Sequence, residues 1–181
     1  MTEIESLQGR LLVSSPTLHD PNFRRTVVLM THHDEEGAVG LVLSRPSEAV
    51  ASEAVPELAN LPAGRFVYVG GPVEPQAVLA LVELGDADAR VTPIVGAVGL
   101  YPPDAEIDEL SITRARIFAG YSGWSPGQLE EELAEGAWII VDAEADDAFV
   151  DSPDELWRTV LKRKGGRYAL IATMPFDPGL N

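Results

Sequence analysis

Apolar residues along the 181-residue chain fall into short runs, and the period of each run decides what it becomes. Leu11–Val13, Thr26–Thr31, Val39–Leu43, Phe66–Val69, Val78–Val82, Pro93–Val98, Ala115–Tyr121 and Trp138–Val141 are rich in β-branched or aromatic side chains. Each is bounded by Gly, Pro or Asp, a combination that predicts β-strands. Ala49–Asn60 is rich in Ala and Glu but interrupted by Pro56, so it predicts one or two short helices. Two further helices are predicted from their starts. Ser125-Pro126-Gly127-Gln128 places Ser at the N-cap, Pro at the first helical position and Gln at the third, the pattern of a capping box. Leu129 and Leu133 then follow at i,i+4 until Gly136. Ser152-Pro153-Asp154-Glu155 repeats the arrangement before Leu156, Trp157, Val160 and Leu161. Lys162, Arg163 and Lys164 stand at the negative end of that helix dipole, and Gly165 stops it. Many strands and few helices, without regular alternation, predict a single α+β domain over residues 1–181.

Charge narrows the partners. The chain holds 13 Lys+Arg against 29 Asp+Glu, a formal −16. Residues 104–155 carry 15 acids and only Arg114 and Arg116, whereas residues 156–181 carry one acid and five bases. This field repels bare nucleic acid, which needs clustered cations, and it disfavours an anionic membrane surface. The short basic segment is expected to fold back on the acidic one. There are no cysteines, which removes thiolate chemistry and disulfides. No apolar run approaches membrane-spanning length, and acids occupy the N-terminus where a signal peptide needs bases. A cytoplasmic protein is expected.

Candidate chemistry is sparse. His32-His33-Asp34-Glu35-Glu36-Gly37 has the side-chain types of a metal or acid–base site. Strand alternation sends the two histidines to opposite faces, however, and a run ending in Gly reads as a hairpin connection. Asp142, Glu144, Asp146 and Asp147 have the alternation of a calcium loop but lack its central Gly and terminal Glu. No metal and no cofactor are predicted. Gly120-Tyr121-Ser122-Gly123-Trp124 lies between strand and helix like a nucleophile elbow, yet Trp124 stands where G-x-S-x-G needs Gly. Gly70-Gly71-Pro72 ends a strand without the Lys or glycine spacing of a phosphate loop. Arg45, at the end of an apolar run, has the reach for a carboxylate or phosphate clamp.

Together these segments resemble the YqgE/AlgH family of small bacterial proteins. The resemblance is carried by Gly9–Pro16, Asp20-Pro21-Asn22-Phe23, His33–Pro46, Gly70–Val73, Gly120–Glu130 and the tail Met174–Asn181. It spans nearly the whole chain in the expected order. This chain has Ser44 where members commonly have Asn, Leu79-Ala80-Leu81 where many have Leu-His, and Ser122 where they usually have Ala. The last departure argues against a family-wide serine nucleophile. The resemblance implies an α+β fold with a bent, largely antiparallel or mixed, barrel-like sheet and a few flanking helices. It implies no established catalysis, and some members carry the label of transcriptional regulator.

The reading that follows is a cytoplasmic regulatory or interaction protein that binds a protein or small ligand. The candidate binding site combines Arg45, Gly70, Gly71, Pro72, Tyr121, Trp124 and Gln128, residues at strand ends where a rigid scaffold presents loops. One alternative is a hydrolase using His33 with Asp20 or Glu36, with or without a metal. The other, a nucleic-acid-associated regulator, is opposed by the charge and by the lack of helix-turn-helix grammar.

Overall fold

A computed structural model describes residues 4–16 and 23–174. Among these residues ten strands form one curled sheet: β1 Arg10–Ser14, β2 Val27–Asp34, β3 Gly37–Val42, β4 Pro46–Val50, β5 Phe66–Val69, β6 Val73–Leu84, β7 Pro93–Val95, β8 Val98–Leu100, β9 Ile112–Trp124 and β10 Trp138–Asp142. The main order is β10-β1-β2-β3-β9-β6-β8-β7, with β4 paired to β5 and β5 attached to β9. Every pairing between strands is antiparallel except β5 with β9, where Tyr68 lies opposite Phe118. Strand β9 is the spine. Its Ser122–Trp124 end pairs with β3, and most of its length pairs with β6, so one strand serves both halves of the sheet. Helices α1 Ala51–Ala54, α2 Gln128–Ala134, α3 Leu156–Lys164 and α4 Arg167–Ile171 flank this sheet. The α+β class that the pattern predicts is present, with the bent, mixed sheet that the resemblance implies.

Alternation along the strands builds the cores. Val27 and Leu29 of β2 join Leu11, Leu41 and Phe118 under Leu156, Trp157, Val160 and Leu161 of α3. Their neighbours Val28 and Met30 point the other way, onto Leu12, Trp124, Leu129 and Trp138 under α2. A further cluster around Val82, Ala115 and Ile117 fills the β6–β9 half. The Trp157 indole N–H donates to the Ser14 carbonyl at 2.8 Å, which fixes α3 to β1.

Local departures have local causes. Pro93–Val98 is a hairpin rather than one strand, because Gly96 takes φ +55° and reverses the chain between β7 and β8. Pro46–Val50 pairs with β5 as a strand, a segment whose polar composition gives no strand signal. The Ala49–Asn60 region does hold two short helical pieces, α1 and a 3-10 turn at Pro56–Leu58. The predicted Ser125 cap is not formed as a reciprocal box. The Gln128 side chain accepts from the Ser125 backbone N–H at 3.0 Å, but the helix starts at Gln128 after Gly127 at φ +80°. At the second start Pro153–Glu155 is a 3-10 turn leading into α3, and Gly165 ends the helix at φ +79°.

The basic segment does fold onto the acidic one. Arg163 makes paired hydrogen bonds to Asp147 at 2.9 and 2.8 Å, and Lys164 reaches the Ile140 carbonyl. These contacts also cover β10, an edge of the sheet.

Candidate functional site

The Gly70–Gly71 turn is a crossing of backbone on backbone. A Cβ on Gly70 would come within 2.3 Å of the Gly120 carbonyl oxygen, and one on Gly71 within 2.2 Å of the Tyr121 carbonyl carbon. The Gly70 N–H donates to the Ala119 carbonyl at 3.0 Å, while the Gly70 carbonyl accepts from Val42 at 2.9 Å and from the Ser122 hydroxyl at 3.1 Å. These groups are spent on the fold, and Ser122 is wholly buried as the third partner. Pro72 then leads into β6, where Val73 pairs with Tyr121.

Tyr121 donates its hydroxyl to Glu74 at 2.9 Å. That carboxylate pushes the Tyr121 phenol above its usual pKa. Glu74 itself has φ +45°, inside the bulged stretch between Val73 and Val78. Trp124 faces away, into the core beneath α2. Its indole N–H donates to Glu132 Oε2 at 2.7 Å, and the Gln128 amide donates to Glu132 Oε1 at 3.1 Å. The Arg45 carbonyl accepts from Val69 at 2.8 Å, and its guanidinium reaches the Arg24 carbonyl at 3.5 Å. The structure thus brings together Gly70, Gly71 and Tyr121 at one crossing and Trp124 with Gln128 at another point. The Arg45 guanidinium is directed to Arg24.

His33 and His32 both lie within β2, and the hairpin connection shrinks to Glu35–Glu36. His33 is buried and His32 exposed, as alternation requires. The Leu7 N–H donates to His33 Nδ1 at 3.0 Å, so the ring proton sits on Nε2, 2.7 Å from Glu130 Oε1. Burial works against ionisation of Glu130, but the His33 and backbone hydrogen bonds outweigh it and hold the carboxyl below its ordinary pKa. The partner of His33 is therefore Glu130, not Glu36, whose backbone N–H bonds Asp34. Asp20, the other proposed partner, lies outside the described residues. Among the described residues no three His, Asp or Glu side chains gather in metal-ligand geometry.

A substantial concave feature lies elsewhere. A cleft of about 690 Å³ opens between β6, the end of β8 and the α1 region, lined by Val55, Leu58, Val78, Leu79, Ala80, Leu100, Tyr101, Pro102 and Pro103. Gln8, Thr31, Thr92 and Ile94 close one side, and Arg90 and Glu57 supply charge. None of the strand-end candidates lines it. The Tyr101 hydroxyl is held by the Ala105 carbonyl, which leaves the ring face as wall. These residues do not stand out in the sequence, because an apolar strand residue reads as core. The available signal was Pro102-Pro103 directly after Tyr101, a place where a strand must leave its neighbour.

The family model described as AlgH-like matches residues 11–169. The chain belongs to the AlgH-like family. A UPF0301 protein of Streptomyces coelicolor is 46% identical over 191 residues, covering 100% of this chain and 98% of the relative. A UPF0301 protein of Chlorobaculum tepidum is 37% identical, covering 99% and 98%. Among solved structures, a Corynebacterium diphtheriae protein has a TM-score of 0.85 at 27% identity, over 96% of this chain and 95% of that one. The AlgH protein from Pseudomonas aeruginosa has a TM-score of 0.72 at 27% identity, over 97% and 98%. In this AlgH-like chain the Gly70–Gly71 crossing, the Glu132 contacts and the His33–Glu130 pair are all ways of closing the fold. The β6 cleft is a concave surface that such closure leaves open.

Proposed function

We propose that this AlgH-like chain is a cytoplasmic regulatory or interaction protein that binds a protein segment or small ligand without catalysing a reaction. The observation that carries the reading is the cleft of about 690 Å³, walled by apolar side chains with a few polar groups at its rim. Concave apolar surface of this size is where ligands are usually held. The acid–base candidates point the same way, since His33 is committed on both ring nitrogens and Ser122 is buried against Gly70. The Gly70–Pro72 turn and Tyr121 take part as positioning residues. Their crossing and the Tyr121–Glu74 bond set where β6 begins, and β6 forms the cleft wall.

Indole, a compact apolar probe, tests the seat. Titrated into the labelled protein, it is expected to shift the amide resonances of Val78, Leu79, Leu100 and Tyr101, and Val78→Trp is expected to suppress those shifts by filling the cleft. Shifts confined to Tyr121–Gln128, or none at all, would overturn this placement.

A further inference from the structure

Among the described residues, strand β6 carries an unpaired edge inside the cleft. Strand β8 runs beside it only in the register Leu81↔Leu100, Val82↔Gly99 and Glu83↔Val98. At the two ends the Tyr101 N–H donates to the Ala80 carbonyl at 2.9 Å and the Leu84 N–H to the Ala97 carbonyl at 3.1 Å. Backbone groups of a paired strand alternate between its two edges. Ala80, Val82 and Leu84 therefore address β8, and Val78 addresses the same side. Ala119, opposite Val78 on β9, agrees with this parity, because its carbonyl accepts from Gly70 on the far side. After Tyr101 the chain leaves through Pro102 and Pro103, neither of which has an N–H to donate. Among the described residues no strand pairs with that edge at Val78.

Side-chain placement fits an added strand. Successive strand residues point to opposite faces, and Val78, Leu79 and Ala80 all line the cleft, so it wraps the edge rather than lying on one face. Val78 is 45% exposed, unusual for Val inside a 12-residue strand.

Charge decides the occupant. A groove of about 520 Å³ continues from the cleft, sharing Glu57, Leu58, Tyr101 and Pro103 and adding Glu106 and Asp108. Among the described residues the one cation lining the cleft, Arg90, already bonds Asp88 and Glu109. The Tyr101 phenol is raised by burial first and then by Glu106, Glu109 and Asp108, which reports the same negative field. With −16 overall, the chain also attracts cations at longer range.

We propose that this cleft takes an extended peptide segment, which adds as a strand to β6 at Val78. Its apolar side chains fill the cleft, and a Lys or Arg beyond them meets Glu106 and Asp108. The proposal rests on the cleft being the binding seat and adds the chemistry of the occupant. A second copy of this chain is a poor match, because it brings the same acidic groove and another −16.

The test uses the full chain and a displayed random library of peptides of about nine residues, a strand with short flanks. Enriched peptides are expected to alternate apolar positions and to carry Lys or Arg at one end. The best of them, made synthetically and followed by fluorescence anisotropy at low salt, should weaken about tenfold or more with Glu106→Lys plus Asp108→Lys. N-methylation of its alternate amides should weaken it similarly, because main-chain hydrogen bonds supply affinity in strand addition. Val78→Pro removes the edge N–H and should abolish binding, whereas Val78→Thr keeps it and should bind within about threefold. Circular dichroism checks that both variants fold. No enrichment, enrichment of acidic peptides, or binding indifferent to N-methylation would overturn the proposal. So would self-association abolished by Val78→Pro, which assigns the edge to a second copy. Indole shifts without peptide binding defeat this proposal alone; absence of both defeats the cleft reading as well.

Discussion

The rings of Trp124 and Trp138 meet edge to face, 6.0 Å apart at 74°, and both indole N–H groups donate to the same oxygen, Oε2 of Glu132, at 2.7 and 2.8 Å. One carboxylate thereby ties the end of β9 and the start of β10 to α2, while Phe23 stacks on Trp124 and meets Trp138 edge-on. The seven-residue helix α2 is too short to be stable alone, so this anchor and Leu129 hold it in place.

Removing that carboxylate leaves two part-buried indole donors unsatisfied. Glu132→Ala is expected to cost about 2–4 kcal/mol, because hydrogen bonds to charged groups exceed neutral ones and orphaned donors add a penalty. Glu132→Gln keeps an acceptor oxygen and should cost less. Urea midpoints give the difference, and a change in tryptophan emission should accompany the alanine variant.

The glycines divide into two kinds. Gly71→Ala places its Cβ 2.2–2.4 Å from the backbone of Tyr121 and Ser122, which cannot give way without parting β6 from β9. Gly127→Ala meets nothing within 4 Å but keeps φ +80°. The second variant should lose about 1 kcal/mol from left-handed strain, whereas the first should fail to fold or unfold at far lower urea. Ser122→Ala removes only the bond to Gly70 and should cost about 1 kcal/mol.

Asp147 has its side chain almost fully buried, with Arg163 paired to both of its oxygens. Arg163→Ala strands that charge and is expected to cost about 3 kcal/mol. Arg163→Met with Asp147→Leu should recover much of the loss. Salt screens a buried pair weakly, so thermal melts of the parent chain should shift less with added NaCl than this segment's charge alone suggests.

The loop that bears Arg90 has its own acid signature. Hydrogen bonds from the Arg90 side chain and backbone hold the Asp88 carboxyl down at about 2, against an ordinary 3.8. A folded pKa below the unfolded one means that this pair stabilises the loop above the ordinary value and loses its contribution as pH falls through the folded one. Carboxyl NMR titration should place the Asp88 midpoint near 2, and Arg90→Gln should return it toward 3.8.

Much of this molecule is readable from local chemistry. The periods of Val27–Met30 and Leu11–Val13 dictate strands that feed two faces, and both faces are filled as the alternation requires. Pro56 shortens its helices, Gly165 stops α3, and the opposing charges of residues 104–155 and 156–181 meet at Arg163 and Asp147. The strand Pro46–Val50 was hidden because its pairing with β5, not its composition, makes it a strand.

The candidate site was less legible. Gly, Pro, Tyr, Trp and Arg at strand ends carry the same local pattern whether they receive a ligand or lock a crossing, and Gly70, Gly71 and Trp124 lock crossings here. Elements, strand faces, charge segregation and family membership follow from neighbours in the chain, because backbone propensity and alternation act over a few residues. Which carboxylate meets His33, which oxygen two indoles share and where β8 abandons the edge of β6 depend on groups far apart in sequence. Those contacts exist only after the sheet curls, and with them the cleft at Val78.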